Sequence, residues 1–151
     1  LAEQKDNYIY HEIGELSDST FDSNIWRELI ATFPHSPVEL LARALKDLLA
    51  DTHPSGTLNH LIENRKFAGL GFYTAFLDGM LKELFPQLQN AFMDFTKRGN
   101  WRIIRTATVE GYRQAKKATV EMIELFQTGK NRKQPDWAKK QIEERLLNRS
   151  Q

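Results

Sequence analysis

A chain of 151 residues, 40% of them hydrophobic, is long enough for one folded domain that buries roughly 68–70% of its unfolded surface. It contains no cysteine, which excludes disulfides, thiolate metal sites and cysteine nucleophiles and fits a reducing, cytoplasmic setting. The formal net charge of +1 conceals an uneven distribution: residues 1–96 hold 7 Lys/Arg against 14 Asp/Glu, and residues 97–151 hold 14 against 6.

The chain opens on Leu1 without a basic and apolar leader, so the expectation is a piece of a longer protein with no signal peptide. Residues 1–20 are polar and weakly periodic; they read as an N-terminal arm or linker with a short ordered stretch at Tyr8–Ile13, ahead of a helical domain over 21–151. Helical signals begin at Asp22 or Ser23, either of which can cap, and Ile25, Trp26, Leu29, Ile30 and Phe33 form an apolar face that Pro34 ends. Ser36 and Glu39 then make a capping box with Pro37 at the first helical position, and Val38, Leu41, Leu45 and Leu48 follow at helical spacing.

After the loop Asp51–Gly56, Thr57 opens a segment to Phe85 that bends or breaks around Lys66–Gly71. Its longest apolar run, Phe67–Leu77, is well short of the ~20 residues of a membrane span. Pro86 starts a helix with Leu88, Ala91, Phe92 and Phe95 on one face, stopped near Gly99. Asn100 caps a long helix over 101–128, with Gly129 just past its end, and Pro135 or Asp136 opens a last helix to about Asn148. With strand signals almost absent, the expected fold is all-α, a single-domain bundle or orthogonal array of six to seven helices.

Gly71, Ala75 and Gly79 recur every four residues, as do Ala107, Gly111 and Ala115. The expectation is that these two small-residue faces cross on each other at the centre of the domain. "GLGFYT" is no dinucleotide fingerprint, because Thr74 replaces the third glycine and no strand precedes it. "HEIGE" (His11–Glu15) lacks the second histidine of a zinc-protease helix. A site on His53 and His60, with Asp51 or Glu63, needs a favourable loop, so no metal and no cofactor is expected. No nucleophile elbow or phosphate-binding loop occurs, and the chain reads as a non-enzymatic module, although catalytic groups assembled by folding leave no local motif.

The strongest functional signal is a basic row. Arg98, Arg102, Arg105, Arg113 and Lys116 fall within an arc of about 80° on the long helix, opposite Ile104, Ala107, Gly111, Ala115, Met122 and Phe126. Lys130, Arg132 and Lys133 on the following connector extend it. The leading expectation is an interaction or regulatory module that contacts an acidic protein or another anionic partner through this face. Nucleic-acid binding by the same helix is the alternative. A third reading is an apolar small-molecule sensor with a pocket around Phe72, Phe76 and Phe92. The complementary charge of the two parts also suits a homodimer.

Overall fold

The computed structural model describes residues 2–18 and 23–147, and side chains from Lys5 onward within the first of these spans. Asp22, the side chain of Ser23 and Asn148, to which the sequence assigns helix termini, lie outside the described residues. Among the described residues there are nine α-helices and no strand. They are α1 (Ala2–Ser17), α2 (Ser23–Thr32), α3 (Pro37–Thr52), α4 (Thr57–Glu63), α5 (Phe67–Ala75), α6 (Gly79–Leu84), α7 (Pro86–Arg98), α8 (Trp101–Asn131) and α9 (Pro135–Ile142), the last running into a π-helical turn, Glu143–Leu147. The all-α expectation holds, with more and shorter helices than the six or seven expected.

Two of these helices organise the rest. α3 lies between α1 and α8, and α8 also carries α7 and α9 along its length. Leu41, Leu45, Leu48 and Leu49 of α3 and Ile104, Met122 and Phe126 of α8 are buried in one core with Leu29, Leu58, Leu61, Phe85, Leu88, Phe95 and Ile142. The start of α3 follows from local chemistry: Ser36 Oγ accepts from Glu39 N at 3.3 Å, and the Glu39 carboxylate accepts from His35 N at 2.7 Å. Asn100 accepts from Arg102 N at 3.0 Å to open α8, and Gly99 closes α7 with φ +64, a left-handed conformation that glycine adopts without cost.

Several expectations need correction. The first is the arm: Ala2–Ser17 is a helix docked on α3 and α4. Its seam is mostly polar, so the sequence carries little apolar periodicity to announce it. The second is the segment from Thr57 to Phe85, which breaks twice. One break, at Asn64–Lys66, falls just ahead of the expected place, with Arg65 at φ +50; the other is at Phe76–Asp78, before Gly79 at φ +50.

The second break separates Gly79 from Gly71 and Ala75, so the expected small-residue face does not exist as one surface. Gly111 accommodates a side chain instead: a Cβ there would lie 2.8 Å from Phe85 Cζ and 3.0 Å from Cδ2, with Cε2 closer still. Gly129 likewise does not end α8. It sits inside the last turn, where a Cβ would meet Ala138 Cβ at 2.5 Å, and its bareness lets α9 fold back closely on α8. Among the described residues no helix is long and apolar enough to cross a membrane.

Candidate functional site

Thirty-one residues make α8 about 46 Å long at 1.5 Å per residue. Its buried residues, from Ile104 through Ala107, Gly111, Ala115 and Met122 to Phe126, keep one side of it in the core. The opposite side faces solvent and carries Arg102, Arg105, Arg113 and Lys116, all exposed. Arg98, exposed at the end of α7, stands next to the start of this row across Gly99 and Asn100.

The cations are in different states of engagement. Arg113 forms a two-pronged pair with Glu110, Nη2 to Oε1 at 2.6 Å and Nε to Oε2 at 2.9 Å. With a further hydrogen bond from Gln114, this pair holds the Glu110 carboxyl down at about 2. Lys116 lies over the Tyr112 ring, 5.6 Å from its centroid. Arg98, Arg102 and Arg105 have no ion pair among the described residues.

The extension expected at Lys130, Arg132 and Lys133 lies at the other end of α8, about 37 Å along the axis from Arg105. Lys130 is turned to Glu28 of α2 at 2.6 Å, and the Arg132 guanidinium sits 5.0 Å over the Trp137 ring. Lys133 is exposed in the turn, with φ +55. Lys130 and Arg132 therefore brace the α2–α8–α9 end of the domain, and all three stand apart from the Arg98–Lys116 row.

On the same outer face of α8, within and just beyond the row ending at Lys116, are two residues that charge counting passes over. Val109 is 61% exposed and Val120 42% exposed. At 100° per residue both fall within about 20° of Arg102, so the face alternates basic and apolar side chains. The signal was available in the sequence as valines on the outward side of the helical wheel.

The aromatic set is divided. Phe72 and Phe76, both exposed, lie 4.3 Å apart between centroids with their rings tilted, beside a cavity of about 290 Å³ that Asp51, Tyr73 and Leu81 also line. Phe92 does not line that cavity; it packs with Phe67 at 6.5 Å and Phe95 at 6.3 Å. The two histidines weighed for a metal are also apart in role. The His53 ring accepts from Ser55 N at 3.0 Å, and His60 stacks on Tyr10 at 3.7 Å.

A polar cluster that sequence reasoning missed holds α1 in place. His11 Nδ1 donates to Asp51 Oδ1 at 2.9 Å, and the Tyr73 hydroxyl donates to Asp51 Oδ2 at 2.7 Å. His11 Nε2 faces Asp47 Oδ1 at 3.9 Å and Glu15 Oε2 at 4.0 Å, and Glu15 pairs with Lys46. Nearby, Lys66 reaches Asp6 at 2.6 Å and Thr57 Oγ1 donates to the Asn7 carbonyl at 3.1 Å. His11, Glu12 and Glu15 can bring one ligand atom each within 4.8 Å of one another, the nearest approach to a cation-binding set among the described residues. The Lys46 ammonium on Glu15 already supplies positive charge there.

The hydrogen bond to Asp51 raises the His11 pKa, with Asp51, Asp47 and Glu15 adding through their charge against the cost of burial. A histidine raised on folding contributes stability that is complete below its unfolded pKa and is lost as pH rises through the folded value. His60 opposes this, because burial, aided by Lys66, lowers its pKa. Replacing His11 by Gln isolates the first effect. Urea unfolding should show the wild type losing more stability than His11→Gln between about pH 6 and pH 8. Equal losses would mean that folding does not raise the His11 pKa.

The architecture defines an all-α helical array built on one long helix, with a basic and apolar outer face. Within that class the chain belongs to the family described as "Family of unknown function (DUF6866) C-terminal domain", which matches residues 1–145. The match takes in α1 together with the helices it docks on. Neither a curated protein nor a solved structure matches the chain.

Proposed function

We propose that this domain is a non-enzymatic interaction or regulatory module of the cytoplasm that docks an acidic, amphipathic protein segment along the outer face of α8. The observation that carries the reading is the exposure of Val109 (61%) and Val120 (42%) in line with Arg102, Arg105, Arg113 and Lys116. A phosphate backbone satisfies the cations but gives the valines nothing to bury against. An acidic helix with an apolar stripe satisfies both, because its carboxylates meet the guanidinium groups while its apolar residues cover the valines. Arg102 to Val120 spans about 27 Å, enough for a partner helix of about 18 residues. Arg102 and Arg105, which have no ion pair among the described residues, lose least on engaging a partner.

The test is fluorescence anisotropy with an acidic amphipathic peptide and with duplex and single-stranded oligonucleotides, each over a salt series. Peptide binding is expected to fall at least about tenfold in Arg105→Glu/Arg113→Glu and several-fold in Val109→Ser/Val120→Ser. Peptide binding that survives the charge reversal overturns the reading. Tight oligonucleotide binding with a steep salt dependence, indifferent to the valine changes, would replace it with nucleic-acid recognition by the same cations.

A further inference from the structure

On the flank of α8, between α3, α6 and the π-helical turn, the surface opens into a cleft of about 500 Å³. That volume falls within the range of small-molecule sites, and it is a larger space than the one beside Phe72 and Phe76. The cleft has an apolar lining from Leu45 and Leu48 of α3, Leu84 of α6, Ala118 of α8 and Leu146 of the π turn. Its space comes in part from α8 presenting Ala115 and Ala118 here, where a larger residue would fill it.

The charged residues around the cleft are Arg113, Lys117 and Arg145 against Glu83 and Glu121. Arg113 is turned toward Glu110. Arg145 bonds Gln141 Oε1 through Nε at 3.2 Å, and its terminal nitrogens have no hydrogen bond among the described residues. Lys117 is exposed and has no ion pair among the described residues. Arg145 and Leu146 belong to Glu143–Leu147, a π-helical turn, and such turns recur at functional sites because they widen the helix locally.

An apolar lining alone would suit any oily molecule, and cations alone would suit any anion. Together they select a ligand with both parts. We propose that this cleft binds a small amphipathic carboxylate, its hydrocarbon chain against Leu45, Leu48, Leu84 and Leu146 and its acid group between Lys117 and Arg145. The cleft borders the outer face of α8 at Arg113, which lines both, but neither Lys117 nor Ala118 is among the residues on which that reading is tested.

Isothermal titration calorimetry with decanoate, decanol and acetate tests both halves of the claim. Decanoate is expected to bind with a Kd on the order of 10 µM, and decanol and acetate at least about tenfold more weakly. Lys117→Gln should weaken decanoate about three- to tenfold while leaving decanol unchanged. Ala118→Phe should abolish binding by filling the cleft, with circular dichroism confirming that the helices persist. Ala118 is only partly buried and Lys117 is exposed, so at least the lysine variant tests the site without disturbing the core. No decanoate binding up to about 1 mM overturns the proposal. Decanol binding as tightly as decanoate removes the acid from the assigned ligand, and decanoate binding unaltered by both substitutions removes the site.

Discussion

Truncating Phe85 to alanine is expected to destabilise the domain by about 3–5 kcal/mol, the largest effect of any single side chain considered. The residue is fully buried, and its ring rests on the bare backbone of Gly111. Phe85 also joins α6 to α7, so one ring seats the α6–α7 junction on the long helix. The complementary change makes the interpretation specific. Gly111→Ala drives a methyl group into the ring, and overpacking of this kind costs about 1–3 kcal/mol. If the two residues form one contact, Gly111→Ala combined with Phe85→Leu should be less destabilising than the sum of the separate changes. Urea midpoints for the three variants measure this directly. Strict additivity would mean that the ring and the glycine do not act on each other.

Gly14→Val is expected to lift α1 from α3, with a cost of about 1–3 kcal/mol or more, because the opposing atoms belong to backbone rather than to a side chain that can turn away. A Cβ at Gly14 would meet the Ala50 carbonyl group, its carbon at 2.8 Å and its oxygen closer still. The same close approach brings His11 and Glu15 of α1 up to Asp47 and Asp51 of α3, so displacement there removes the whole polar cluster at once. Amide hydrogen exchange should show α1 losing protection while α7 and α8 keep theirs. Because Tyr73 shares Asp51 with His11, α5 should respond more than α7. Uniform loss of protection along the chain would instead make α1 part of the central folding unit.

These two contacts mark where sequence reasoning reaches its range. A capping box, a proline at the first helical position and an asparagine before an amphipathic run act over three or four residues, so the start of α3 and the start of α8 were legible without any tertiary information. The outward placement of Arg102, Arg105, Arg113 and Lys116 was equally legible, since 100° per residue separates them from Ile104, Met122 and Phe126. Their engagement was not. Arg113 meets Glu110 on its own helix, but Lys130 meets Glu28 across 102 residues of sequence.

The chain by itself therefore determined the helical class, the termini set by local caps and the sides of α7 and α8 that turn inward, because these depend on periodicity and on hydrogen bonds a few residues long. Tertiary structure decided the rest. It turned a polar opening segment into a docked helix through His11–Asp51, Lys66–Asp6 and Thr57–Asn7, pairs 40 to 60 residues apart that leave no apolar stripe behind. It assigned Gly111 to the ring of Phe85 and Gly129 to Ala138, because a glycine states only that something approaches closely, and the approaching group is chosen by the packing of the whole core.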